Sequence, residues 1–81
     1  MTLSYDPLYN IAYIRFKENI EKVETLKLSD DVNIDISPDG KVYGIEFLNA
    51  NNQLDLINLH KINLVNNATG EKEEISFNIK N

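Results

Sequence analysis

The sequence predicts an α+β domain that is mostly β: an antiparallel β-meander of about five strands, one short helix and a C-terminal hairpin. Three observations carry this. Apolar residues recur at every second position through Val32–Ile36 and Val42–Phe47, the period of a half-buried strand. The runs are short and bounded by turn formers at Asp6-Pro7, Ser29-Asp30-Asp31 and Ser37-Pro38-Asp39-Gly40. Connections of roughly two to six residues suit antiparallel neighbours better than helical crossovers.

The elements follow in order. Thr2-Leu3-Ser4-Tyr5 alternates and stops at Asp6-Pro7, as a short first strand would. In Ile11–Phe16, Ala12, Ile14 and Phe16 share one face, while Tyr13 and Arg15 share the other. Lys17-Glu18-Asn19 is a polar connection. Val23–Leu28 follows with Leu26 and Leu28 in phase, and Ser29-Asp30-Asp31 turns the chain into Val32–Ile36. Residues 51–60 fit either of two patterns. Asn51 or Asn52 could cap a short helix that turns Leu54 and Ile57 inward, or Leu54 through Leu64 could alternate as a strand. Ile62–Val65 and Ile75–Ile79, around the loop Asn66–Gly70, read as a second hairpin.

The stretch Asp35–Glu46 admits a competing reading. Its acids at the first, fifth and twelfth positions, with glycine at the sixth, approximate a calcium-binding EF-hand loop. The hairpin reading closes Ile36 opposite Lys41, Ile34 opposite Tyr43 and Val32 opposite Ile45, which places every large apolar residue on one face. Asp35 then lies opposite Val42, roughly 13 Å along the sheet from Glu46 at about 3.3 Å per residue. One ion could not bridge that span, and an EF-hand also needs flanking helices. The hairpin is the expected structure.

Composition bounds the function. Eighty-one residues make a single small domain, 42% hydrophobic and without cysteine, so neither disulfides nor thiolate metal sites supplement its core. Dimerisation is one way such a chain gains stability. The net charge of −5 comes from 13 acidic and 8 dispersed basic residues, which argues against a nucleic-acid partner. The start Met1–Asn10 lacks the charged and apolar regions of a signal peptide, and no apolar run approaches a membrane span. A cytoplasmic protein with no membrane partner is expected.

From Tyr5-Asp6-Pro7 and Ala12-Tyr13-Ile14-Arg15 to Asn33–Ala50, including Gly40-Lys41-Val42-Tyr43-Gly44-Ile45-Glu46, the chain resembles the small prokaryotic family called domain of unknown function 2283. The resemblance covers about residues 3–50 and leaves 51–81 as an extension. Asn10 stands where the family pattern has Asp, Ala12 where it has Leu, and Ser37 departs in the turn. The resemblance implies no established activity; an antitoxin-like role has been suggested for some members.

The candidate functional residues are Arg15, Asp35, Glu46 and Tyr13. Glu46 with Arg15 is the pair to watch, and a structural salt bridge is its simplest explanation. Gly44 would let another backbone approach closely. Tyr5, Tyr9 and Tyr13 recur every four residues, but Pro7 and the strand pattern oppose a helical stripe, and a base-stacking platform would lack basic neighbours. His60 has no partner for catalysis or metal binding, and the sequon Asn67-Ala68-Thr69 has no consequence without secretion. No catalytic residue, metal or cofactor is expected. The expected function is a non-catalytic protein–protein interaction module, antitoxin-like or accessory, that binds a protein partner or itself. The alternatives are a small metal-dependent or carboxylate-using enzyme built on Arg15, Asp35 and Glu46, and an acidic inhibitor that mimics nucleic acid.

Overall fold

Strands β1 (Thr2–Asp6), β2 (Ile11–Arg15), β3 (Glu24–Lys27), β4 (Val32–Ile36) and β5 (Val42–Leu48) form one antiparallel sheet in the order β1-β2-β5-β4-β3. A short helix α1 (Ala50–Leu54) follows, and β6 (Lys61–Val65) pairs with β7 (Lys72–Ser76) as a separate hairpin. The computed structural model describes residues 1–17, 22–55 and 61–77. The mostly-β architecture is therefore the one expected, with a β1–β2 hairpin joined edge to edge with a β3–β4–β5 meander.

Turn chemistry explains the boundaries. Asp6 Oδ1 accepts from the backbone N–H groups of Leu8 and Tyr9, an Asx turn that ends β1. Asn10 then takes a left-handed conformation at φ 56°, which Asn tolerates better than most residues. Between β4 and β5, Ser37 is buried and its Oγ both accepts from Lys41 N–H and donates to Asp39. Gly40 closes that turn at φ 86°.

The β4–β5 register differs from the expected one. Val32 lies opposite Phe47, Ile34 opposite Ile45, Asp35 opposite Gly44 and Ile36 opposite Val42, with a bulge between Asp35 and Ile36. The shift relative to expectation is two residues at Ile34. An even slip keeps each side chain on its face, so the alternation could not reveal it.

The helix differs from expectation at its start. Its N-cap is Asn49, left-handed at φ 51° and making no side-chain cap, rather than Asn51 or Asn52. The capping acceptor comes from across the fold: Asn10 Oδ1 accepts from Asn51 N–H at 2.8 Å, and the Asn10 carbonyl accepts from Ala50 N–H. Ile57, His60 and the strand alternative through 56–60 lie outside the described residues. The second hairpin strand starts and ends earlier than expected, at Lys72–Ser76, and Ile79 also lies outside the described residues.

The core sits at one end of the apolar face. Ala12 and Ala50 are fully buried against each other, with Leu3, Tyr5, Phe47, Leu54 and Phe77 packed around them. Small residues at that contact let α1 approach β2 closely. No large side chain among the described residues is fully buried. The radius of gyration of 14.3 Å exceeds the roughly 12 Å of a compact chain of this length, consistent with a hairpin whose strands are exposed throughout. No helix of the described residues is long and apolar enough to cross a membrane.

Candidate functional site on the polar face

The sheet's other face carries the four candidate residues. Cross-strand pairing sets them in two rows: Thr2, Arg15, Gly44, Asp35 and Thr25 in one, and Ser4, Tyr13, Glu46, Asn33 and Lys27 in the next. Tyr13 on β2 and Asp35 on β4 are separated by the whole width of β5. They nevertheless meet, because the residue between them is Gly44. The phenol lies across the bare glycine and its hydroxyl donates to Asp35 Oδ2 at 2.6 Å. An alanine methyl at position 44 would fall 2.2 Å from that hydroxyl oxygen. The close approach expected at Gly44 is thus made by a side chain rather than a backbone.

Asp35 is held from both sides. Its Oδ1 accepts from Thr25 Oγ1 on β3 at 2.6 Å, so one carboxylate links β2, β4 and β3. Glu46 accepts from Asn33 Nδ2 at 2.9 Å. The expected salt bridge between Glu46 and Arg15 does not form; the Arg15 guanidinium instead stands 5.8 Å from the centroid of the Tyr13 ring, within cation–π range. Arg15, Asp35 and Glu46 therefore each take a different partner and do not converge on one point.

The electrostatics fit a brace more than a reactive centre. Partial removal from water pushes the Tyr13 phenol up to about 12, helped by its hydrogen bond to Asp35 and by that carboxylate's charge, while Arg15 pulls it down in part. At neutral pH the phenol keeps its proton and donates it to a carboxylate whose two oxygens are both occupied. Asp39, in the β4–β5 turn, is held below the usual carboxylate range chiefly by the Ser37 hydroxyl, with Lys41 assisting. No three potential metal ligands converge among the described residues. The surface depressions beside β6–β7 and around Lys22, Pro38 and Tyr43 are lined by none of the four candidates.

The family model for proteins of unknown function designated DUF2283 matches residues 3–51, more than half of the 81-residue chain. The chain belongs to this family. No curated protein and no solved structure matches it at a significant level. The DUF2283 match takes in the five-stranded sheet from Leu3 onward, every residue of the two polar rows except Thr2, and the first helical residues, and stops before the β6–β7 hairpin.

Sequence reasoning missed three participants. Thr25 and Asn33 are ordinary solvent-face residues in the alternation, and only the strand order gives them acidic partners. Asn10 is a framework residue: its side-chain oxygen accepts from Tyr5 OH at 3.1 Å as well as from Asn51 N–H. Its place after an Asx turn was the available signal.

Proposed function

We propose that this DUF2283 member is a cytoplasmic, non-catalytic protein–protein interaction module, accessory or antitoxin-like in role, whose working surface is the apolar face of the sheet. One observation carries the reading. The rows Tyr5, Ala12, Phe47, Val32 and Leu3, Ile14, Ile45, Ile34 are completed by Leu28, just past β3, and by Leu26 on β3, which are exposed, as is Phe16 just past β2. The helix and Phe77 cover only the Ala12 end. A continuous apolar sheet face left partly open to water is the usual mark of a contact surface. Edge strand β3, which pairs on one side only among the described residues, adds an edge that another chain can join.

The polar face supports the same reading by its chemistry. Its carboxylates are engaged within the sheet, and the phenol beside them is held neutral.

The test is affinity capture of the tagged chain from its native host at native abundance, followed by intact-mass measurement of what co-elutes. A stoichiometric protein chain, either another protein or a second copy, is expected. Its retention should be lost with Leu26→Lys and kept with Lys27→Glu, the neighbour that faces the opposite side of the sheet. Absence of any stoichiometric chain, or equal retention by the two variants, would overturn the proposal.

A further inference from the structure

We infer that the partner of the open apolar face is a second copy of this chain, with the β6–β7 hairpin of each copy laid on the sheet of the other. The inference rests on the interaction-module reading above and names its partner.

The hairpin presents an apolar face that is about half exposed. Ile62 pairs with Ile75 and Leu64 with Glu73, so these four side chains share one side. Ile62 is 42% exposed, Leu64 62% and Ile75 54%. Lys61, Asn63, Val65, Lys72 and Glu74 take the other side. A two-stranded hairpin is at best marginally stable in water alone and needs a further surface for its apolar face. Phe77, just past β7, is packed on the Ala12–Ala50 core, so the hairpin's base is fixed to its own sheet while its apolar face stays open.

The sheet presents the matching surface. Phe16 is 40% exposed, Leu26 39% and Leu28 59%. At these exposures, three large side chains of about 200 Å² each leave on the order of 300 Å² on either patch. A two-fold pair covers both patches on both copies, which reaches roughly the 1,200 Å² where specific interfaces begin. Either patch alone falls well short of that.

Charge favours this pairing. Lys17 stands 5.8 Å from the centroid of the Tyr43 ring, and Lys22 lines a depression shared with Tyr43, whose carbonyl accepts from Phe16 N–H. The hairpin brings Glu73 on its apolar face and Glu71 at its loop. Laying the hairpin on the sheet sets acids against the basic rim, a pairing that also fixes orientation. Two copies of net charge −5 otherwise repel, so the local match must favour this arrangement over others.

The experiment is sedimentation equilibrium and native mass spectrometry on the purified full chain from micromolar to millimolar concentration. A species of twice 9.3 kDa is expected. Leu64→Lys should weaken it about tenfold or more, and Val65→Lys, on the opposite side of the hairpin, should leave it unchanged. Circular dichroism would verify that both variants remain folded. Glu73→Lys should weaken the dimer, and adding Lys17→Glu with Lys22→Glu should restore it. A monomer at every concentration overturns the inference, as does a dimer indifferent to Leu64→Lys or a charge reversal without rescue. If the purified chain is monomeric while capture from the host retains a different protein through Leu26, self-pairing fails and the interaction reading stands. If neither a second copy nor another protein is found, both fail.

Discussion

Replacing Gly44 by alanine tests whether the polar-face brace is what ties β2 to β4. The backbone at Gly44 is not left-handed, so the substitution brings no conformational strain of its own; in a strand, alanine is intrinsically better by about 0.5–1 kcal/mol. The cost comes from Tyr13. The new methyl would lie 2.2 Å from its hydroxyl oxygen and 2.5 Å from Cζ, so the ring must swing away and release Asp35. A hydrogen bond to a charged group contributes about 1.5–3 kcal/mol, less at a partly solvated site. The net expectation is a loss of about 1–2 kcal/mol, or roughly 5–15 °C in melting temperature for a domain of this size. Urea unfolding followed by circular dichroism reads the change directly. The decisive comparison is the same substitution in a Tyr13→Ala background. With no ring to displace, Gly44→Ala should become neutral or slightly stabilising, giving a coupling of about 2 kcal/mol between the two sites. Equal destabilisation in both backgrounds would show that Gly44 matters for a reason unrelated to Tyr13.

Two further outcomes follow from the same geometry. Because the Tyr13 phenol is raised from 10.0 to about 12, the folded chain holds that proton longer than the unfolded one. This contribution to stability is complete below pH 10 and is lost as pH rises toward 12, so unfolding free energy should fall more steeply over that interval in the wild type than in Tyr13→Phe; parallel profiles would refute the assignment. Asn10→Ala removes the acceptor for Asn51 N–H and Tyr5 OH and leaves an alanine at φ 56°, for an expected loss of about 2–3 kcal/mol. Asn10→Asp keeps the acceptor and tolerates the conformation, so thermal melts should place it within about 0.5 kcal/mol of the wild type; a loss as large as alanine's would refute the acceptor role.

Much of the fold was legible because a half-buried strand writes its period into the sequence. Ala12, Ile14 and Phe16, or Val32, Ile34 and Ile36, define their strand and its inner face without help from the rest of the chain. What escaped has a common physical origin. The β4–β5 register is set by a bulge at Asp35 and Ile36, and a two-residue slip leaves the apolar pattern untouched. The helix start lies within a run where Asn49, Asn51 and Asn52 are all competent caps, and the choice is made by Asn10, 41 residues away from Asn51. The four candidate residues were correctly placed on one face by alternation. Their partners were not legible, because the Tyr13–Asp35 contact depends on β5 lying between β2 and β4, and strand order is not a local property. Arg15 and Glu46 looked like a pair since opposite charges on one face invite pairing, yet the diagonal offset put Tyr13 nearer to Arg15.

The two faces of the sheet point to different uses for the same scaffold. On the polar face, Asp35 accepts from Tyr13 and Thr25, and Glu46 accepts from Asn33, so each acid has a partner inside the sheet. The depressions described above lie elsewhere on the surface. On the apolar face the balance is reversed. Among the described residues burial is complete where Ala12 meets Ala50, and it fades toward Leu26, Leu28 and Phe16. The DUF2283 match covers the braced sheet and ends at residue 51, so the hairpin belongs to the part of the chain outside the shared pattern. A framework pinned by its polar face and left unfinished on its apolar one can keep its shape while the segment appended to it changes. Under the self-pairing inferred here, that segment is also what finishes the face, which makes Leu64 and Leu26 two halves of one contact.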